Sequence, residues 1–244
     1  GQLLGAPHFA QDPCLNLKTY PLQEWNGLLF EDNGRNVKAD LSHMTVANDL
    51  SFDGFSLGHV ELHTCNYNWK TFIEVYLEDY HVGPFHPGLG NFVTCEDLSW
   101  QFDKEFSVQT VGVANELKRS GSPVYERWHQ ALLNYRNGQA PKQGAIWLTY
   151  YPHIMVEWYP HVLTVSTLHP VSVNETLNMV SFFYPEEIVA FEPEFIEDDE
   201  IAERMDAGRL ALMKRGDNEV GPYQSPMEDG MQHFHEWYRA KMSL

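Results

Sequence analysis

The spacing of apolar and polar positions changes several times along the chain, and each change marks an element. Ser56–Cys65 has the pattern of a strand. From Asn68 to Val82, apolar or aromatic residues recur at positions 69, 72, 73, 76, 77 and 80, a helical spacing. A strand running into a helix is therefore expected. Ser122-Pro123 opens a second helical stretch, with proline at the first helical position, and Asn137-Gly138 closes it. Between Gly144 and Tyr184 the residues are β-branched and aromatic. The pairs Tyr151-Pro152, Tyr159-Pro160 and His169-Pro170 punctuate them, which predicts three or four successive antiparallel strands. A third helix fits residues 196–214. After a loop at Gly216–Gln224, Ser225-Pro226-Met227-Glu228 has capping-box spacing and predicts a fourth helix running to the C-terminus. Residues 1–50 are rich in Gly, Pro, Asn and Asp, with short apolar pieces such as Leu28–Phe30, which suits loops and brief strands. Strands segregated from helices in this way predict an α+β fold.

Composition narrows the classes of function. Thirty-four acidic against 16 basic residues give a formal charge of −18 over 244 residues. No basic stretch offsets it, so nucleic acid and anionic lipid surfaces are poor partners. No apolar run approaches the roughly 18 residues of a membrane span, and the first residues lack a basic segment followed by an apolar one. A cytoplasmic location is the expectation. Cys14, Cys65 and Cys95 are far apart and form no CxxC or CxxH spacing, so neither a disulfide framework nor a cysteine-based metal site is indicated.

Twelve histidines are many for this length, and two of them, His81 and His86, lie five residues apart around Gly83-Pro84. On an unbroken helix they would diverge by roughly 140°. A helix broken or distorted at Gly83-Pro84 lets the second imidazole swing back toward the first. Glu78, three residues before His81, shares its helical face and can reach the rear nitrogen of a ligand histidine. Spacing alone does not separate such a metal site from ordinary core or surface histidines. His233 and His235, two apart on a helix, face different ways and read as structural.

The whole phrase Asn68-Trp69-Lys70, then Glu78, Tyr80-His81 and His86-Pro87 resembles the iron-site helix of Rieske-type non-haem iron oxygenase alpha subunits. That resemblance implies a helix-grip catalytic domain, a curved antiparallel sheet over long helices, and a mononuclear Fe(II) held by two histidines and one carboxylate. It implies His81 and His86 as ligands, and Asp198 as the third, because the family's ligand Asp stands five residues before a helical Glu, as Asp198 does before Glu203. Asp199 and Glu197 are the alternatives, and without the resemblance the acids of this stretch read as solvated residues at a helix start. Glu78 takes the place of the acid that couples the iron histidine to a neighbouring subunit's cluster. Position 75 is Val where many members carry Asn.

The same resemblance implies dioxygen and a small organic, commonly aromatic, substrate, with electrons from a reductase or ferredoxin through a 2Fe–2S cluster. The Cys-x-His and Cys-x-x-His ligands of that cluster do not occur in this sequence. The full enzyme is expected to be a homotrimer, or a trimer with a beta subunit. Residues 1–45 are read as the tail of a cluster domain with its connecting segment, and residues 46–244 as the catalytic domain. Tyr151–Trp158 falls where the family's sheet lines the substrate pocket, which makes His153 a pocket candidate alongside Asn91 and Phe92. Two rivals from other classes are a non-catalytic small-molecule-binding module on the same scaffold and a zinc hydrolase using the same three ligands.

Overall fold

A computed structural model describes residues 1–11, 13, 15–85, 93–113, 137–139, 141–185, 199–217 and 221–244. It divides into two compact units, Gly1–His43 and Met44–Leu244. In the first, strands β1 (Leu22–Trp25) and β2 (Leu28–Glu31) form an antiparallel hairpin. Its two-residue turn, Asn26-Gly27, has both φ values positive, at 48° and 82°, the geometry that asparagine and glycine tolerate best. A short helix α1 (Val37–Leu41) follows, capped by the Asn36 side chain accepting from the Ala39 amide.

The second unit is built on a seven-stranded antiparallel sheet with order β3-β9-β8-β7-β6-β5-β4. Its strands are β3 (Phe55–Cys65), β4 (Val93–Phe102), β5 (Phe106–Val113), β6 (Ala145–Tyr150), β7 (Ile154–Trp158), β8 (Leu163–Ser172) and β9 (Glu175–Pro185). The Gly144–Tyr184 region thus yields four strands: Tyr151-Pro152 and Tyr159-Pro160 fall between strands as expected, whereas His169-Pro170 lies within β8, and the chain turns only afterwards, at Val173-Asn174. The helices are α2 (Trp69–Tyr76), α3 (Val82–Phe85), α4 (Asp199–Arg215) and α5 (Asp229–Met242). Ile73 and Leu77 from α2 and its end, Met155 and Leu168 from the sheet, and Met231 and Phe234 from α5 make one apolar cluster, so α2 and α5 lie on the same face of the sheet. Ile73 and Phe234 are fully buried, and burying each such side chain stabilises the fold by about 1.5–3 kcal/mol. This is the α+β, helix-grip class that the sequence implies.

Two expectations are corrected, and two strands were not foreseen. Helix α2 does not run to Val82: it ends at Tyr76, with Leu77 as its C-cap. The Glu78 carboxylate takes the Tyr80 amide (2.6 Å) that a continuing helix would have given to a main-chain carbonyl. The break therefore precedes Gly83-Pro84, which fall inside α3. The last helix begins at Asp229, later than the capping-box spacing suggests. Glu228 instead accepts from the Gln224 amide and Ser225 donates to the Asp229 carboxylate, so both side chains are spent in the preceding turn. Strands β4 and β5, unforeseen, complete the sheet. The helix expected over 122–137 lies outside the described residues except for its end, where Asn137 and Gly138 adopt φ of 54° and 76°.

Candidate metal centre

Helix α2 begins at Asn68, whose side chain accepts from the Lys70 amide (3.0 Å). Its backbone amide donates to Asp206 on α4 (2.7 Å). Thr71 also donates to Asp206, and Arg209 donates to Thr71 (3.0 Å) while pairing with the buried Glu74 carboxylate. The other Glu74 oxygen receives His235 of α5 at 2.7 Å. One polar lattice therefore fixes α2 against α4 and α5, and an apolar seam of Cys65, Tyr67, Val75 and Ala202 runs beside it.

From the end of α2 the chain turns through Leu77–His81. Glu78 uses one oxygen on the Tyr80 amide and the other on Nδ1 of His81, in a very short contact. His81 is buried, at 9% exposure. A carboxylate accepting from Nδ1–H fixes the tautomer, so Nε2 is the nitrogen that would meet a metal. Glu78 makes the expected contact with the rear nitrogen of His81, although from a turn rather than from a helical face. Asp79 points the other way and is anchored to the sheet: Gln109 of β5 donates to its Oδ2, and the Cys95 thiol lies 3.9 Å from Oδ1. Burial raises the Asp79 carboxyl to about 6, against the lowering effect of the Gln109 bond. Burial, with Asp79 beside it, pushes the Cys95 thiol up to about 12, so Cys95 is a neutral donor rather than a thiolate ligand. Val82 then enters a cluster with Val93, Val111, Ala145, Trp147, Tyr159, Val162 and Tyr184, placing the His81 turn over this part of the sheet.

The ligand candidates His86 and Asp198, the alternative Glu197 and the pocket candidates Asn91 and Phe92 lie outside the described residues, and of Asp199 only the start of α4 is described. Among the described residues, no group of three or more His, Cys, Asp and Glu side chains is close enough to hold a metal ion. His81 and Glu78 are the part of the expected constellation that is brought together. His153 is half-buried in the turn between β6 and β7, and its carbonyl accepts from the Leu168 amide (3.0 Å). His233 and His235 have structural partners, Tyr151 (2.8 Å) for the first, and Tyr223 and Glu74 for the second.

Sequence reasoning missed the Thr71–Glu74–Asp206–Arg209 lattice. The signal was present: Thr71 and Glu74, and likewise Asp206 and Arg209, are three residues apart and each pair shares a helix face. Among the described residues, no helix is long and apolar enough to cross a membrane.

Residues 41–244 match the family described as ring hydroxylating alpha subunit (catalytic domain). A putrescine 2-hydroxylase of Ralstonia nicotianae is 63% identical over 254 residues, covering 99% of this chain and 69% of that protein. A putrescine 2-hydroxylase of Bordetella bronchiseptica is 61% identical over 254 residues, covering 99% of this chain and 59% of its own length. Among solved structures, the quaternary ammonium Rieske monooxygenase CntA superposes with a TM-score of 0.62 at 16% identity, over 91% of this chain and 60% of that one. The likeness to CntA is one of fold. The chain spans about three-fifths to two-thirds of the length of these proteins.

Proposed function

This chain belongs to the ring-hydroxylating alpha-subunit catalytic-domain family, and from that premise we propose that it is the catalytic part of a non-haem iron oxygenase that hydroxylates a small aliphatic amine, putrescine or a near analogue. The observation that carries this reading is the 63% identity across 99% of the chain to a putrescine 2-hydroxylase. The aromatic substrate common in the family gives way to an amine because both curated relatives are named for putrescine.

In this reading His81, His86 and Asp198 hold the ferrous ion, with Asp199 as the alternative carboxylate. Two imidazoles and a carboxylate on one side of the ion leave positions for dioxygen beside the substrate. The fit rests on His81: a buried imidazole with Nδ1 bound to a carboxylate is the arrangement of a metal-ligating histidine. Bound iron would supply dioxygen activation. The chain's own groups orient and seal: Glu78 fixes the tautomer of His81, Gln109 holds the turn to the sheet through Asp79, and the Val82 cluster excludes water. His153, Asn91 and Phe92 are assigned to the substrate pocket. Residues 1–45 are assigned to the segment joining a 2Fe–2S domain, consistent with the greater length of the relatives. Electrons would come from a reductase or ferredoxin through that cluster, across to Glu78 from a neighbouring subunit of a trimer.

The test is metal content after anaerobic loading with ferrous ion, measured by mass spectrometry for wild type and for His81→Ala, His86→Ala and Asp198→Ala. Near one iron per chain in wild type, lost in all three variants, is expected. Iron retained by Asp198→Ala would move the carboxylate to Asp199. Absence of specific iron in wild type would sink the oxygenase reading and favour a binding module.

A further inference from the structure

The sheet has two unlike faces. Strand register places Phe106, Val108, Ile146, Leu148, Val156 and Val165 on one side, a surface apolar along these strands except for Thr110 and Thr167, whose hydroxyls are already bonded to Ser99 and His169. The side under the helices carries Gln109, Thr149, Glu157, Thr164 and Ser166 amid its apolar residues. Gln109 and Thr149 are almost wholly buried, and the Thr149 hydroxyl finds no hydrogen-bond partner among the described residues. Polar groups buried under a roof of helices mark a wall built to meet a polar ligand.

Glu157 stands in this wall. It is half-buried on β7 and paired in register with Trp147 of β6 and Thr164 of β8. Its Oε2 accepts from the Tyr159 hydroxyl (2.8 Å), and that oxygen accepts in turn from Nε1 of Trp147 (2.9 Å). The two rings lie edge to face, with centroids 6.4 Å apart. Trp147 and Tyr159 belong to the same cluster as Val82, the residue after His81. A carboxylate is thus held by a two-step hydrogen-bond relay, beside two aromatic rings, on the sheet face beneath the His81 turn.

We propose that Glu157 is the ammonium-binding residue of the substrate pocket, with the Trp147 and Tyr159 rings contributing to the cation's surroundings. An alkylammonium has three N–H donors and one charge, and a partly desolvated carboxylate beside aromatic rings matches both. Anchoring one cationic end on β7 leaves the carbon chain to extend toward His81. The inference rests on the amine-hydroxylase reading above and deepens it.

The experiment is anaerobic calorimetric titration of the iron-loaded full-length protein with putrescine, for wild type, Glu157→Gln and Glu157→Asp, with KM and kcat measured in parallel with the electron-donor proteins. Glu157→Gln keeps a carbonyl acceptor for Tyr159 while removing the charge and replacing the other oxygen by an NH2 donor. It is expected to weaken putrescine binding and raise KM by on the order of ten- to a hundredfold, with iron content unchanged. Glu157→Asp, which keeps the charge, should recover part of that loss. Wild-type affinity in Glu157→Gln, from a wild type that binds and hydroxylates putrescine, would overturn this inference and leave the amine-hydroxylase reading standing. A wild type that binds no putrescine would overturn both.

Discussion

His161, beside Tyr159 with ring centroids 5.9 Å apart, is 2% exposed, and burial pushes its imidazole down to about 3. In the unfolded chain it takes a proton near 6.5. Between those values the unfolded state binds one proton more than the folded state, so this residue's contribution is complete above about 6.5 and declines as pH falls toward 3. The decline is about 1.4 kcal/mol per pH unit. Urea unfolding from pH 7 to pH 4, compared between wild type and His161→Gln, isolates the group. The wild type should lose stability toward acid faster than the variant by about that slope, and parallel curves would show that His161 is protonated in the folded protein. Glycine 230 permits a second test at this scale. A Cβ there would lie 2.3 Å from the Trp100 ring, which is stacked on Phe102 and donates to the Pro226 carbonyl (3.0 Å). With the ring held on two sides, Gly230→Ala should cost about 1–3 kcal/mol in denaturant unfolding; a neutral result would mean that Trp100 can swing aside.

At the scale of elements, Glu74 joins α2 to α4 and α5 through Arg209 and His235. Removing a buried partner strands the groups that met it, so Glu74→Ala should destabilise by about 3–5 kcal/mol. Arg209→Ala should cost less, because Arg209 is 42% exposed on its side chain and His235 still meets Glu74. A double-mutant cycle at Glu74 and Arg209 measures the coupling, and additive losses would show that the ion pair contributes nothing of its own. Reading these elements from sequence succeeded where side-chain period and punctuation agree, as at Asn68, where the helical spacing opens and α2 is capped, and across β6–β8 with their Tyr-Pro breaks; His169-Pro170 misled, because it sits within β8 and the turn to β9 follows it. It failed at β4 and β5 for physical reasons. In β4 the pairing register shifts between Thr94 and Ser99, which disrupts alternation, and β5 is buried on both faces through most of its length, so it shows no polar half. The end of α2 was equally hidden, because a Glu side chain capturing a local amide leaves the helical spacing of Trp69–Tyr80 intact. Glu78 and His81 were legible as a pair. Gln109, thirty residues beyond Asp79, and Asp206, more than 130 beyond Thr71, were not, because only the folded sheet and helices bring them in.

For the whole molecule, protection should follow the order of strands. The middle of the sheet, β5 to β7 and the first half of β8, is covered on both faces, whereas the edge strand β3 exposes Leu57, Val60 and Leu62, and the far end of β8 with the turn after it exposes Val171 and Val173. Amides of Phe106–Val111 and Ala145–Tyr150 should exchange slowest, near the global unfolding limit, and those of Leu57–Leu62 should exchange orders of magnitude faster. Hydrogen exchange read by mass spectrometry or NMR decides this, and equal protection of β3 would mean that something covers that edge in solution. The turn that carries His81 belongs to the protected side of this gradient through Asp79 and Gln109. The hydrogen bonds of the Glu78 carboxylate to Tyr80 and His81 close on its own next three residues, and Asp79 tethers the turn to the sheet through Gln109 of β5, with the Cys95 thiol of β4 beside it. Such a turn is a portable part. Grafted behind the last residue of a helix in another antiparallel α+β protein, over a strand offering a glutamine at the matching height, the five residues Leu77–His81 would deliver an imidazole already set in tautomer and direction.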